Sequence, residues 1–260
     1  MLKSRLCIAF FAFAVGCAPA QKPLTDYVNP MLGTATLWDS VDLGFKPTKR
    51  TWGAEVFPGS SLPNAMVQVS PVTKFHSGAG YQYEDSVIYG FTHTNKGHWN
   101  LCHIPLLPVT GTPTPGDYCS PFSHERESAA PGYYQVFLDR YGVDAQLSST
   151  LRCAFHKYTY PASAAPAVLA DLQRSNEHVR AWDIRKEGDN VFAGWQQTGE
   201  KMYFYAVANR PVTGIEPVVE GDREVRIVRF GEGDGALELR IGFSFVSEKN
   251  ARENLEAEML

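Results

Sequence analysis

The chain has 260 residues, 44% of them hydrophobic and 20% charged, with a formal net charge of −4, the balance of a packed globular protein. It contains no Lys/Arg-rich run, which argues against a surface that tracks nucleic-acid phosphates and leaves a neutral ligand as the better fit. The 12 Tyr, 15 Phe and 5 Trp, with 22 Gly and 17 Pro punctuating short apolar runs, favour strands over helices, and a single β domain of this size is within range.

Residues 1–20 stand apart. Lys3 and Arg5 precede the apolar run Leu6–Val15, which is too short for a membrane span of about 20 residues and has the order of a secretory signal. Ala14-Val15-Gly16-Cys17 resembles a bacterial lipobox with Cys17 as the lipidated residue, while Ala18-Pro19-Ala20 offers ordinary cleavage before Gln21. The expected location is the periplasm or outer membrane of a Gram-negative bacterium, with membrane contact only through that anchor. Loss of Lys3 and Arg5 takes the net charge from −4 to −6. Cys102, Cys119 and Cys153 beyond the signal are odd in number and lack CxxC spacing. No disulfide framework follows; two of them can pair, but buried thiols are the preferred reading.

Residues 21–65, rich in Pro, Gly, Thr and Asn without a sustained period, read as an irregular entry segment. Met66–Val69, Val87–Phe91 and Ile104–Val109 are short apolar runs between turn residues and fit strands packed on both faces. Val143, Ala145 and Leu147 then alternate with polar residues, as do Leu151, Cys153 and Phe155, which predicts half-buried strands with these residues inward. Gly188-Asp189 marks a hairpin between Val179–Lys186 and Val191–Gln197. Met202, Phe204, Ala206 and Ala208 share one face, and Leu237, Leu239, Ile241, Phe243 and Phe245 give five inward positions. So many antiparallel strands mean a sandwich. At Ser247 the pattern changes: an N-cap, an acidic first turn and Ala251, Leu255 and Met259 four residues apart predict an amphipathic helix. Its lack of a C-cap signal suggests the start of a linker to a further domain, with a frayed terminal helix as the alternative. The organisation expected is thus a signal at 1–20, a β-sandwich domain at 21–246 and a linker helix from 247 to 260.

Thr92-His93-Thr94-Asn95-Lys96-Gly97-His98-Trp99-Asn100 follows a strand and sets a flat ring, Trp99, among hydrogen-bonding neighbours. A pyranose, with an apolar face and a hydroxylated rim, needs both kinds of partner. Thr51-Trp52-Gly53-Ala54-Glu55 is a second loop of this kind. Candidate sugar contacts are therefore Trp99, His98, Asn100, His93, Trp52, Gly53 and Glu55; either Trp would alternatively serve as a structural plug. His93, His98, Cys102 and His103 match no usual metal-site spacing, so hydrogen bonding at a strand end is the default and no metal site is assigned. Glu55, Glu84, Asp85, Glu125 and Glu127 are the carboxylates considered for acid–base work; spacing does not show which converge, and none is assigned a catalytic role.

Four segments together resemble glycoside hydrolase family 92: Tyr27–Thr34; Phe57-Pro58-Gly59 with Asn64–Pro71; Gly80–Tyr83 leading to Ile88–Thr94; and Phe122–Glu125 with Pro131–Tyr134. The likeness covers most of residues 27–256, and it departs at 35–54, longer than expected there, which leaves linkage preference open. The resemblance implies an all-β, large antiparallel β-sandwich of the supersandwich, galactose-mutarotase-like type, followed in the family by a helical barrel that holds both catalytic carboxylates. It implies inverting, calcium-dependent hydrolysis of α-mannosides in mannose-containing glycans. The calcium ligands would lie mostly in the barrel domain, this domain would contribute cleft loops, and a Trp from the Trp99 loop would line the position beside the cleaved mannose. The rival readings are a stand-alone carbohydrate-binding module and a purely structural scaffold.

Overall fold

The computed structural model describes residues 22–36, 44, 55–96 and 100–260. Residues 1–21 with Cys17, Trp52 and Gly53, and Gly97, His98 and Trp99 lie outside the described residues. Among the described residues of 22–65, only a 3-10 turn at Leu24–Tyr27 and the first short strand are regular.

The described strands, in chain order, begin with β1 (Ser60–Ser61), β2 (Gln68–Val72), β3 (Val87–Ile88), β4 (Gly90–Thr92), β5 (Asn95–Lys96), β6 (Asn100–Leu101) and β7 (Leu106–Val109). There follow β8 (Ser120–Pro121), β9 (Glu127–Ala130), β10 (Tyr133–Leu138), β11 (Val143–Ser149), β12 (Cys153–Thr159) and β13 (Ala167–Ala170). The last are β14 (Ala181–Gly188), β15 (Val191–Gln197), β16 (Lys201–Ala208), β17 (Val212–Glu220), β18 (Arg223–Phe230) and β19 (Leu237–Ser244), ahead of one helix, α1 (Glu248–Glu258).

A seven-stranded sheet runs β1-β2-β4-β7-β13-β18-β17, and an eight-stranded sheet runs β14-β15-β16-β19-β12-β11-β10-β9. Every described pairing is antiparallel, and the two sheets share one core in which Val69, Phe91, Leu107 and Ile227 meet Tyr134, Ala145, Phe204 and Ile241. Ring contacts such as Phe91–Tyr134 and Phe192–Phe230 cross the interface. This is the sandwich expected. In the eight-stranded sheet β10, β11 and β16 alternate strictly between buried and half-buried residues, because one face meets water. In the other sheet β7 and β13 are buried at every position. These strands therefore carry no alternation to read.

Two expectations about facing are corrected. In β12 the inward residues are Ala154, His156 and Tyr158, whereas Leu151 is 48% exposed in the preceding turn and Phe155 is half-buried. Pairing of Ala145 with Tyr158 and Leu147 with His156 fixes this: residues opposite one another share a face, and a one-residue slip inverts it. Cys153 is buried as expected, at the strand's first position. Phe245 is not a fifth inward residue of β19; the strand ends at Ser244, whose Oγ accepts the Val246 N–H at 3.0 Å and turns the chain outward.

Ser247 then caps α1, its Oγ accepting the Asn250 N–H at 3.1 Å. The helix lies on β19 with Ala251 and Leu255 buried. Cys102, Cys119 and Cys153 are free thiols, Cys102 and Cys153 buried and Cys119 half-buried.

Candidate functional site

The β5–β6 hairpin rises between β4 and β7 and is bound at its root. Asn95 is buried; its Nδ2 donates to the Gln68 carbonyl at 2.8 Å and its Oδ1 accepts the Thr92 hydroxyl at 3.1 Å. At the end of the hairpin and just beyond it, Leu101, Cys102 and Ile104 all adopt positive φ, 64°, 61° and 54°. Non-glycine residues rarely do so, a β-branched one least of all, and each costs about 1–3 kcal/mol unless the surroundings over-determine it.

Here they do. Cys102 N–H donates to the Thr94 carbonyl at 2.8 Å and Ile104 N–H to Gln196 Oε1 at 2.8 Å. The Leu101 carbonyl accepts from Asn176 N–H at 3.0 Å and Ser175 Oγ at 2.6 Å. Gln196, fully buried in β15, also donates through Nε2 to the carbonyls of Leu172 and Arg174 at 3.0 and 2.8 Å. One side chain of the eight-stranded sheet thus clamps both the hairpin root and the loop 171–180.

Three histidines complete the supports. His93 is fully buried, with Nδ1 2.8 Å from the Ile104 carbonyl and Nε2 3.1 Å from His156 Nε2; His156 Nδ1 meets the Tyr158 hydroxyl. Burial pushes His93 down to about 3, and burial followed by the neighbouring His93 holds His156 well below the usual imidazole range. His103 is nearly buried, with Nδ1 2.8 Å from Thr94 Oγ1 and Nε2 2.9 Å from Thr198 Oγ1. Burial lowers it too, against the partial pull of Glu177, 3.9 Å away. Burial pulls the Glu177 carboxyl up, but hydrogen bonds from Thr198 and the Leu101 and Gly199 backbone, with the charge of His103, leave it below the usual range.

Beside the loop 171–180 opens a cavity of about 710 Å³ whose wall includes Arg174, Glu177, His178, Arg180, Trp182 and Asp222. A flat indole among charged hydrogen-bonding groups suits a polar, hydroxylated ligand. Pairing places these groups at one rim: Ala170 lies opposite both Leu106 and Arg226, Ala181 opposite Gln197, and Tyr203 opposite Ser244.

Of the sequence-predicted site residues, His93 and Asn100 belong to this excursion. His93, with no exposed surface and both nitrogens engaged, offers no polar atom to a ligand and supports the loop from beneath; this corrects its assignment as a contact. Asn100 opens β6. Glu55 is half-buried, while Trp52, Gly53, His98 and Trp99 lie outside the described residues. His93, Cys102 and His103 make strand-end hydrogen bonds, as the default reading held. Among the described residues no group of three or more His, Cys, Asp or Glu could hold a metal ion.

Three of the other carboxylates are tied into the fold, whereas Glu125 is exposed. Glu84 accepts the Thr36 N–H at 2.6 Å, and Asp85 the Thr73 hydroxyl at 2.9 Å. Glu127 is buried beneath the Tyr81 and Tyr134 hydroxyls at 3.0 and 2.5 Å and His124 Nδ1 at 2.5 Å. Sequence reasoning missed His156, Tyr158, Gln196, Glu177 and Trp182, which become neighbours only through strand pairing and loop 171–180.

Residues 27–252 match the model of the glycosyl hydrolase family 92 N-terminal domain. The chain superposes on a family 92 α-mannosidase from Bacteroides thetaiotaomicron with a TM-score of 0.78 and 25% identity, covering 91% of this chain and 35% of that one. The same enzyme in complex with mannoimidazole gives 0.77, 25%, 92% and 35%. A family 92 inverting mannosidase of the same organism matches in fold, with a TM-score of 0.74 at 23% identity over 92% of this chain and 34% of that one. No curated protein matches the sequence. The chain spans about a third of the length of these solved relatives.

Proposed function

From the premise that the chain belongs to glycoside hydrolase family 92, as its amino-terminal domain, we propose that it forms part of an exported, inverting α-mannosidase acting on mannose-containing glycans. In this reading it supplies cleft loops, and the general acid and base come from a helical barrel outside this chain. The observation that carries the proposal is the hairpin root: three strained non-glycine residues, tied through the Leu101 carbonyl to Ser175 in the wall of the cavity. Strain of this kind persists where geometry matters to function, and loops on a rigid scaffold are where binding groups sit. The similar enzyme that binds mannoimidazole supports a mannose-like ligand.

Trp99 packs on the sugar beside the scissile bond, with His98 or Asn100 bonding its rim; Trp52, Gly53 and Glu55 form a second contact loop. Calcium assists the reaction in this proposal, but the described residues hold no group of three or more His, Cys, Asp or Glu that could bind it, so no step is assigned to it here. Export follows the signal at 1–20 to the periplasm or outer membrane. No described helix is long and apolar enough to cross a membrane, and lipid on Cys17 is the proposed attachment.

The test is Trp99→Ala in the enzyme that carries this domain. Losing a stacking face should lower kcat/KM at least about tenfold, or roughly 1.4 kcal/mol of transition-state binding, with the melting temperature nearly unchanged. A large fall in melting temperature with normal activity per folded molecule would make Trp99 a core plug and this domain a scaffold.

A further inference from the structure

The hydrogen bonds around His93 have only one self-consistent arrangement. The Ile104 carbonyl is an acceptor, so His93 Nδ1 carries the proton facing it, and in the neutral ring Nε2 is then a bare acceptor. The His156 Nε2 opposite must therefore donate. That leaves His156 Nδ1 as the acceptor of the Tyr158 hydroxyl. The chain runs one way, from Tyr158 O–H through His156 and His93 to the carbonyl of a residue held at a φ of 54°.

All three side chains have no exposed surface. They lie among rings: Phe243 is 4.5 Å from His93, and Phe91 is 6.3 Å from both His156 and Tyr158. In so apolar a setting each bond is strong, and a broken one costs the full desolvation of its partners. The chain also crosses the sandwich. Tyr158 and His156 belong to β12 of one sheet, whereas His93 and Ile104 flank the hairpin that rises from the other.

We propose that Tyr158, His156 and His93 are positioning residues, a buried one-way hydrogen-bond chain that holds Ile104, and with it the root of the β5–β6 hairpin, in the strained geometry the cleft requires. The functional half of this inference rests on the reading of the hairpin as a cleft element; the structural half does not. Tyr158→Phe removes one hydroxyl and leaves the ring. His156 Nδ1 is then a buried acceptor with no donor, an unmade bond at the head of the chain that loosens the His156 ring and its contact with His93.

Two measurements on this chain test the structural half. Long-range nitrogen–proton correlation spectra of labelled imidazoles should show His93 protonated at Nδ1 and His156 at Nε2; the opposite tautomer on either ring would overturn the chain. That measurement needs no variant. In Tyr158→Phe, amide hydrogen exchange at Cys102, His103 and Ile104 should quicken at least about tenfold while β11 and β16 keep their protection. No change, or an equal change everywhere, would refute positioning. The third measurement uses the enzyme that carries this domain, where Tyr158→Phe should raise KM for an aryl α-mannoside several-fold more than it lowers kcat. Faster exchange without a kinetic effect would support the chain and sink the cleft reading of the hairpin.

Discussion

Inside the sandwich the His93 and His156 rings stand 5.0 Å apart, and neither can take a proton without placing an uncompensated charge among aromatic rings. Both pKa values are lowered from 6.5, His93 to about 3 and His156 well below the usual range. The unfolded chain therefore binds protons that the folded chain refuses. Stability from this source is complete above about pH 6.5 and falls as the pH drops toward 3, each ring adding a slope that approaches about 1.4 kcal/mol per pH unit. His103, also lowered, acts in the same sense. So do Glu177 and Glu258, whose lowered carboxyls lose their contribution in acid. Asp171, raised mainly by burial, opposes them over a window just above 3.8. Urea unfolding at intervals from pH 7 to pH 4 should thus show a steep loss of stability; a flat profile would mean that the rings are not buried and neutral. This part of the site was not legible in the sequence. The alternation that placed His156 outward is sound for a lone polar residue, but two buried partners satisfy its polarity, Tyr158 in the same strand and His93 from a distant segment, and no local pattern carries the second.

At the scale of elements, legibility followed solvent. Strands with one wet face, such as β11, β16 and most of β19, announced themselves by alternation; β7, buried at every position, showed only as an apolar run, and β13, buried likewise, was not singled out. The helix was legible from Ser247 and the four-residue spacing of Ala251 and Leu255. What seats it was not: a Cβ at Gly242 would stand 2.1 Å from the Ala251 carbonyl oxygen and 2.8 Å from Leu255 Cβ. The missing side chain at Gly242 lets the helix backbone rest on β19, and both close atoms belong to a rigid element that cannot step aside. Gly242→Val should therefore lower stability by about 2–3 kcal/mol, mainly by lifting α1, with a loss of helical signal before the main β transition on heating. A melting temperature equal to wild type would show that the helix re-seats without cost.

For the whole molecule, two sheets with a common core form a stiff support whose loops gather at one rim: the hairpin root, the loop 171–180, the turn at Thr198–Glu200 and the exit from β19 toward α1. The rim supplies an indole, charged hydrogen-bonding groups and a cavity. Inverting hydrolysis additionally requires a free acid and a free base roughly 6.5–9.5 Å apart with a water between them. Glu84, Asp85 and Glu127 are held by Thr36, by Thr73, and by Tyr81, Tyr134 and His124; a carboxylate kept as a structural acceptor is poorly placed to pass a proton to a leaving group. The 260-residue chain on its own should therefore turn over no aryl α-mannoside, with or without added calcium. Detectable hydrolysis by the purified chain, abolished in Glu55→Gln or Glu125→Gln, would overturn this and place the chemistry within the sandwich; hydrolysis that survives both substitutions would point to a contaminating enzyme.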